Sequence, residues 1–256
     1  MKLLLSIIKS SVVAAFCLPL LVLQTTVAAE DAPIPHGEVA QAKGEGVVAA
    51  WYSCPTERYR HGVLGDRIEG GCLHVRDHEE REISVELSEL FVFEDTTPRI
   101  ADMNGDGLND VVTVRSDVRS GAALAIYGIV DGALQEIAAT ATIGTANRWL
   151  APAGIADFNN DGRNDVAYVQ TPHIGGILRI WSMLDDGFTE IGRINGLSNH
   201  AIGATRVSTS LVLDDNGDKV PDLALPDRWR NETIIITLHP EPAILRRAPY
   251  EESFYD

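Results

Sequence analysis

The feature that most constrains this chain is an acidic nine-residue pattern that occurs three times. It reads D-x-N-x-D-x-x-x-D, and the copies begin at Asp102, Asp157 and Asp214, so that the spacings are 55 (102 to 157) and 57 (157 to 214) residues. The flanks repeat too, because Arg99-Ile-Ala101 before the first copy matches Gly154-Ile-Ala156 before the second. Self-similarity at a period of this length is typical of a repeat protein, in which one supersecondary unit is stacked several times.

Each acidic pattern is followed by short apolar runs that turn residues separate. After the first copy these runs are Val111–Val114 and Ala122–Ile129, and Asp131-Gly132 then leads into a third run. Such runs, bounded by glycine turns, are typical of β-strands. No sustained apolar period of 3.6 residues favours a helix beyond the first 29 residues. We therefore predict an all-β protein in which each repeat is a four-stranded antiparallel meander.

A fourth copy, which has lost the acidic residues, lies upstream of the first pattern. Arg67–Val75 resembles Pro172–Ile180 when the sequence is shifted by 105 residues. The repeats then start near 52, 102, 157 and 214, within a predicted domain over residues 46–239. Copy four is expected to stop after two strands near His239, and Gly46–Trp51 supplies an extra strand that could complete the last blade and remove open sheet edges. The expected architecture is a small β-propeller or an open arc of about four blades.

The acidic loops offer the ligand set of a hard cation. Calcium takes six to eight oxygens, and a tight loop supplies them from the side chains at positions 1, 3, 5 and 9 and the carbonyl at position 7. Three close carboxylates also repel one another unless a cation is present. The predicted calcium ligands are Asp102, Asn104, Asp106, the Leu108 carbonyl and Asp110; Asp157, Asn159, Asp161, the Arg163 carbonyl and Asp165; and Asp214, Asn216, Asp218, the Val220 carbonyl and Asp222.

The pattern admits two other interpretations. An EF-hand needs a glutamate at position 12, where this chain has Thr113, Tyr168 and Leu225, so that class is excluded. The residues could also serve only as hairpin formers, since Asp, Asn and Gly are common in turns. Turn chemistry does not require acids at the same places in three loops, so we favour metal binding.

With these loops the sequence resembles the FG-GAP/VCBS repeat family, whose calcium loops have the form D-x-[DN]-x-D-G-x-x-D. The resemblance covers about residues 46–239 and implies blade-like repeats similar to those of the integrin α-subunit head. Two features depart from the family pattern. The aromatic-glycine dipeptide that often opens its repeat is absent, and four units are fewer than the seven blades of the integrin head.

The three loops are not chemically equal. Position 6 is Gly107 or Gly162 in the first two loops, and glycine takes a positive-φ turn without Cβ strain. In the third loop position 6 is Lys219, for which the left-handed region is strained and whose charge weakens the attraction for a cation. Pro221 also fixes the chain at position 8. We therefore expect the third loop to bind calcium most weakly.

The chain ends outside the repeats carry separate predictions. Residues 1–29 are typical of a cleavable secretory signal, with Lys2 and Lys9 before an apolar run and the small-residue site Val27-Ala28-Ala29 after it. Residues 30–45 are expected to be a linker and residues 240–256 a tail. We expect the mature protein to be exported, periplasmic or extracellular, and to have no membrane span.

Cys54 and Cys72 are the two cysteines that remain after the predicted signal. An exported protein with an even number of cysteines usually oxidises them, so a disulfide is expected in the repeat without an acidic loop. The alternative is two unpaired buried thiols. Their spacing excludes a C-x-x-C redox centre.

Net charge and missing patterns limit the function classes. The formal charge of −16 argues against a nucleic-acid partner, which needs clustered lysine and arginine. No G-x-S-x-G, H-E-x-x-H or P-loop pattern occurs. The connections between blades suggest a shared ligand surface formed by Arg148, Trp149, Asn199 and His200. The leading hypothesis is a non-catalytic calcium-binding module for an unknown protein or glycan ligand, and the alternative is an envelope hydrolase of a glycan or phosphoester.

Overall fold

The structure is a computed structural model that describes residues 31–184, 187–206 and 209–255. The predicted secretory signal over 1–29 lies outside the described residues. Within them the chain forms seventeen strands and one short 3-10 helix, so the predicted all-β class is confirmed.

The strands form four consecutive antiparallel meanders of four strands each, which we call blades one to four. Blade one contains β1 (Ala40–Gln41), β2 (Glu45–Thr56), β3 (Glu69–Asp77) and β4 (Glu82–Glu86). After β5 (Phe91–Phe93), blade two contains β6 (Arg99–Ala101), β7 (Leu108–Asp117), β8 (Gly121–Val130) and β9 (Ala133–Ala139). Blade three contains β10 (Leu150–Ala156), β11 (Asp165–Gln170), β12 (Ile177–Leu184) and β13 (Gly187–Asn195). Blade four contains β14 (Leu211–Leu213), β15 (Asp222–Pro226), β16 (Glu232–Thr237) and β17 (Ala243–Pro249), and the 3-10 helix Glu252–Tyr255 follows.

Blades one and two are joined into one nine-stranded sheet. β5 pairs with β3 at Gly70 and with β7 along its whole length, so it bridges the two blades. A second junction is the parallel pairing of Glu45 and Gly46 with Leu108 and Asn109. The sequence does not separate β5 from the repeats, because a three-residue strand carries too little pattern to be recognised.

The end of blade four differs from the expectation. The repeat does not stop after two strands near His239, because β17 pairs with β16 as a fourth strand inside the segment that was expected to be a tail. The residues of β17 are exposed except for Ala248, so this outermost strand contributes backbone hydrogen bonds without an apolar pattern that could reveal it. Gly46–Trp51 does not complete blade four, since it lies in β2 and pairs within blade one.

The predicted linker over residues 30–45 also holds a strand. β1 is the innermost strand of blade one and pairs with Ala49 and Ala50 of β2. Two residues are too few for a sequence pattern to predict a strand.

The apolar core lies between consecutive blades. Tyr52 and Leu73 of blade one pack with Val111 of blade two, and Leu124 of blade two packs in one cluster with Val166 of blade three. Ile180 of blade three and Ile234 of blade four share a further cluster. Burial of each of these side chains stabilises the folded state by about 1.5–3 kcal/mol. Apolar packing therefore holds the sheets of consecutive blades face to face.

The first strands of blades one to three and the residue before β14 line a shared cavity of about 540 Å³. Its lining includes Gln41 of β1, Ile100 of β6, Ala153 of β10 and Ser210 directly before β14. Because successive turns of an antiparallel meander alternate between two ends, the acidic loops lie at one end. The connections between blades and the turns from second to third strand lie at the other. We call these the acidic-loop end and the opposite end.

Candidate metal loops and the histidine cluster at the opposite end

The first acidic loop connects β6 to β7 and is held by its own carboxylates. Asp102 accepts hydrogen bonds from the backbone N–H groups of Gly105 (2.7 Å) and Gly107 (2.9 Å). Asp110, at the start of the buried part of β7, accepts one from Met103 (3.1 Å). These hydrogen bonds fold residues 102–110 into a compact turn. In this turn the side chain of Asp110 at position 9 is bonded to the backbone of Met103 at position 2.

The other two loops repeat most of these contacts, and the exception is Asp157, whose second donor is the N–H of Asp161 at position 5 instead of position 4. Asp157 accepts from the N–H of Gly162 (2.8 Å), and Asp214 accepts from the N–H of Lys219 (3.0 Å). At position 9 the carboxylates accept from position 2 again, where the donors are Phe158 N–H to Asp165 (3.0 Å) and Asp215 N–H to Asp222 (2.9 Å).

The predicted side-chain ligands at positions 3 and 5 also make the same hydrogen bonds in all three loops. The position 3 amide oxygen accepts from the N–H of position 5, and the position 5 carboxylate accepts from the N–H of position 7. This holds for Asn104, Asp106 and Leu108, for Asn159, Asp161 and Arg163, and for Asn216, Asp218 and Val220.

The three loops also share backbone conformation where their residues differ. Position 6 has a positive φ of 86° at Gly107, 89° at Gly162 and 72° at Lys219. Position 4 is likewise left-handed, at Gly105, Asn160 and Gly217. A lysine is rarely found in this region, so its presence there shows that the loop geometry overrides the local preference.

Position 9 supplies buried oxygens that suit a cation. Among the described residues, Asp165 Oδ1 and Asp222 Oδ1 are buried and have no hydrogen-bond partner. Burial raises the pKa of Asp110 to about 7 and that of Asp165 to about 6, since a carboxylate loses hydration there. An unsatisfied buried carboxylate oxygen is costly, and a hard cation is a ligand that would satisfy it.

The loops would have to contract to surround an ion closely. In the described part of the chain, the group of three acidic, histidine or cysteine side chains whose ligand atoms lie within 4.8 Å of one another is Cys54, Cys72 and His74. The two sulfurs of that group are bonded to each other. The donor set of the acidic loops fits calcium, but their carboxylates are directed at the N–H groups of the loop.

Position 8 has a role that the sequence analysis missed. Asn109 donates from Nδ2 to the carbonyls of Lys43 and Val47 in blade one, both at 3.1 Å. Asn164, at the same position in the second loop, donates to the Asp102 carbonyl of the first loop at 2.9 Å. Each of these asparagines therefore joins its loop to the preceding blade. Pro221 occupies position 8 of the third loop and has no side-chain donor.

The predicted disulfide is confirmed. Cys54 near the end of β2 is bonded to Cys72 in β3, with a Cα–Cα distance of 5.3 Å. The bond lies in blade one, the blade without an acidic loop. A disulfide is typical of proteins from an oxidising compartment.

Three of the four residues predicted to form a ligand face are interior residues. Trp149, Asn199 and His200 are 2%, 0% and 2% exposed, whereas Arg148 is half-buried at the surface. Asn199 donates to the carbonyls of Ala151 (3.2 Å) and Pro152 (2.8 Å). The structure brings these residues together at the opposite end, but it uses three of them to pack the connections between blades.

His200 belongs to a pair of neutral imidazoles. Its Nε2 lies 3.0 Å from the Ala204 carbonyl and its Nδ1 lies 2.9 Å from His173 Nε2, so His200 donates to the carbonyl and accepts from His173. Burial lowers the pKa of His200 to about 4 and also lowers that of His173. Both nitrogens of His200 are engaged, so it is not placed to act as a base.

A different histidine is oriented by a carboxylate at this end. His61 Nδ1 lies 2.5 Å from Glu94 Oε1, and Ser116 donates to the other oxygen of Glu94. The Trp149 indole donates to the Glu94 carbonyl at 2.8 Å, which ties this group to the histidine pair. His61 lines a small cavity of about 30 Å³ together with Arg148 and His173. The contact joins residues 33 positions apart, so no spacing in the sequence indicates it.

The comparisons with known proteins agree with the repeat. The model of the FG-GAP-like repeat matches residues 102–168, which span the first acidic loop, the strands after it and the second acidic loop. The resemblance predicted from the loops is therefore confirmed over that segment: the chain carries an FG-GAP-like repeat. No curated protein matches the chain.

Two solved structures are similar to this chain. The rhamnogalacturonan lyase YesW is 13% identical with a TM-score of 0.47, and the match covers 86% of this chain and 53% of the lyase. Saccharomyces cerevisiae Sqt1 is 10% identical with a TM-score of 0.38, and the match covers 84% of this chain and 65% of Sqt1. The chain thus spans about half the length of the lyase. Within the described residues, no helix is both long enough and apolar enough to cross a membrane.

Proposed function

We propose that this protein is an exported calcium-binding scaffold or recognition module of the periplasm or the extracellular space. The observation that carries the proposal is the common backbone conformation of the three acidic loops, which includes a lysine held at positive φ. Single left-handed residues such as Glu80 and Asp131 also occur in the hairpin turns of this chain, but the three acidic loops share two of them at the same positions. A loop that presents oxygens from five fixed positions requires such a common form.

Each loop would hold calcium through the side chains of positions 1, 3, 5 and 9 and the carbonyl of position 7. The metal would neutralise the carboxylates and tie the first strand of each blade to the second. Asp165 and Asp222 each have a buried oxygen without a hydrogen-bond partner among the described residues, which a cation would satisfy. Metal affinity and loop rigidity are expected to be coupled.

The direct test is thermal unfolding with excess calcium and with excess chelator. A ligand that binds only the folded state stabilises it by RT ln(1 + [L]/Kd), or about 2.7 kcal/mol for a site at 100 Kd. We expect a higher Tm with calcium and a smaller shift in Asp161→Ala. Asp131→Ala removes a carboxylate from the turn between β8 and β9 and is the matched control. An unchanged Tm in wild type would contradict calcium binding.

Calorimetric titration would test the ranking of the loops. Asp106→Ala and Asp161→Ala should each remove a stronger site than Asp218→Ala, because Lys219 brings strain and positive charge to the third loop. A larger loss of affinity in Asp218→Ala than in the other two variants would reverse the ranking.

The second candidate function is a hydrolase, and the observation that favours it is the contact between His61 and Glu94. A carboxylate on Nδ1 fixes the tautomer that leaves Nε2 as a base, and the adjoining cavity is large enough for a water molecule. His200, which the sequence analysis assigns to the ligand surface, is not suited to that role, since both of its nitrogens are engaged.

A panel of chromogenic esters, phosphoesters and glycosides separates the two functions. The scaffold proposal expects no turnover. Turnover that is lost in His61→Ala and kept in His200→Gln would establish the hydrolase and remove the scaffold proposal.

A further inference from the structure

Trp229 is displayed at the tip of a rigid turn in blade four. It is 67% exposed, in a turn between β15 and β16 that Asp227 organises. The Asp227 carboxylate accepts hydrogen bonds from the N–H groups of Asn231 (2.6 Å) and Glu232 (2.9 Å). Exposed tryptophans are uncommon because the ring is large and apolar, so a turn that holds one in solvent is a candidate contact surface.

Two arginines flank this ring. The Arg228 guanidinium lies 4.1 Å from the Trp229 ring centroid, a cation–π distance. Arg230 donates to the Tyr250 hydroxyl at 2.8 Å, which fixes its direction. The indole and both cations are therefore positioned before any partner binds, and preorganisation of this kind lowers the entropic cost of binding.

The surface continues into blade three. Arg228 N–H donates to the Gly196 carbonyl, and Gly196 N–H donates to the Gly176 carbonyl, which joins the Trp229 turn to the turn that carries Ile174. Ile174 is 61% exposed and lines the same small cavity as Arg148. We call the set Arg148, Ile174, Arg228, Trp229 and Arg230 the opposite-end strip.

The charge of the strip is opposite to that of the chain. None of its three arginines forms an ion pair with an acid of the described residues. Several arginines elsewhere are paired with acids, as Arg115 is with Glu136 and Arg246 with Asp215. With 37 acids against 21 basic residues in the chain, three neighbouring cations without acidic partners favour a partner that supplies carboxylates.

We propose that the opposite-end strip is the docking surface for an acidic protein segment that also carries an apolar or aromatic side chain. The proposal rests on the proposed recognition function and names its partner class. Tryptophan and arginine are the residues that most often dominate the energy of protein interfaces. The exposed aliphatic Ile174 fits a protein partner better than a glycan, because it offers neither a stacking face nor a hydrogen bond to a sugar.

The test uses random copolymers of glutamate and tyrosine as the probe, with binding measured by calorimetry at two salt concentrations. Wild type is expected to bind, and to bind more weakly at high salt because exposed charges are screened. Trp229→Ala and the double variant Arg228→Ala with Arg230→Ala should each bind at least tenfold more weakly. Arg76→Ala removes a partly exposed arginine near the end of β3, at the acidic-loop end, and should bind like wild type.

Three outcomes would overturn the proposal. Absence of binding, equal binding by wild type and Trp229→Ala, or preferential binding of polygalacturonate over the copolymer would each do so, the last in favour of an anionic glycan. The Tm of each variant in calcium shows whether it is folded, and Trp229→Phe provides a conservative variant that should retain part of the affinity. If chelator leaves Tm unchanged while strip variants still lose the copolymer, calcium binding fails and the docking surface stands.

Discussion

Blade one and the other three blades reach the same four-stranded form by different means. Blades two to four connect their first two strands through an acidic loop, whereas blade one uses the short turn between Gln41 and Glu45. Blade one has a disulfide between β2 and β3 instead, and its turn rests on the loop of blade two through Asn109. The acidic loop is therefore not required to build a blade. Its threefold repetition then points to a property other than fold, and we infer that this property is cation binding.

The largest expected effect is the loss of the disulfide of blade one. Cross-linking residues 18 positions apart stabilises a protein by about 3 kcal/mol in the chain-entropy model. Cys54→Ser with Cys72→Ser should lower the free energy of unfolding by about that amount, measured by denaturant unfolding in calcium.

Hydrogen exchange would show whether the two kinds of connection act on separate blades. Reduction should speed exchange in β3 and leave β11 protected, and chelation should do the reverse. Equal loss of protection in both strands after either treatment would contradict the comparison, because the blades would then open as one unit.

A smaller effect is expected from Glu69, a buried acid of blade one. Glu69 is 2% exposed, and burial together with nearby Glu94 raises its pKa to about 10. The folded state therefore holds a proton that the unfolded state releases above about pH 4.3. The stabilisation that this proton provides is fully present below about pH 4.3 and is lost as the pH rises toward 10.

Melting curves between pH 6 and 9.5 would test this sign. The Tm of wild type should fall as the pH rises, and Glu69→Gln should flatten the fall because its amide does not ionise. Glu86→Gln, at an exposed position of β4, is the control and should follow wild type. A Tm that rises with pH in wild type, or a fall that Glu69→Gln leaves intact, would show that Glu69 does not carry it.

Local pattern explains which parts of this fold could be predicted. The acidic loops and the strands after them have fixed spacing and alternating burial, so the sequence predicts them directly. The sequence does not predict β17, because it is an outermost strand with exposed side chains. It does not predict β5, because that strand has only three residues.

The candidate site shows the same limit. The ligand positions of the loops are local, but the contacts of Asn109, Asn164 and His61 join residues 33 to 66 positions apart. The sequence assigns Trp149, Asn199 and His200 to the connections between blades. Their burial results from packing of one connection against another, which the sequence of a single repeat does not show.

A further prediction concerns the asparagines of position 8. Asn109→Ala removes two hydrogen bonds between the first acidic loop and blade one, which together contribute about 1–3 kcal/mol. Asn164→Ala removes one bond between the two loops and should cost about half as much. Denaturant unfolding would measure both. Asn195→Ala, at an exposed site at the end of β13, is the control.

If the two position 8 variants are no less stable than the control, the asparagines do not join the blades. Calorimetry on Asn164→Ala gives a further comparison, because this side chain bonds to Asp102, the first ligand of the preceding loop. Loss of that hydrogen bond should lower the calcium affinity of the first loop. An unchanged affinity would mean that the two loops bind independently.

The smallest expected effect separates the third loop from the first two. Lys219 has a φ of 72°, where a side chain costs about 1–2 kcal/mol that glycine avoids. Lys219→Gly recovers this strain but makes the unfolded chain more flexible, which costs about 0.4–1 kcal/mol. The net gain in the free energy of unfolding should be up to about 1.6 kcal/mol, with a tighter third calcium site because a positive charge is also removed. Gly107→Ala is the matched reverse change and should destabilise, although no atom lies within 4 Å of the added Cβ, since the strain alone remains. If Lys219→Gly weakens calcium binding, then the lysine supports the loop, and the ranking of the three loops must be abandoned.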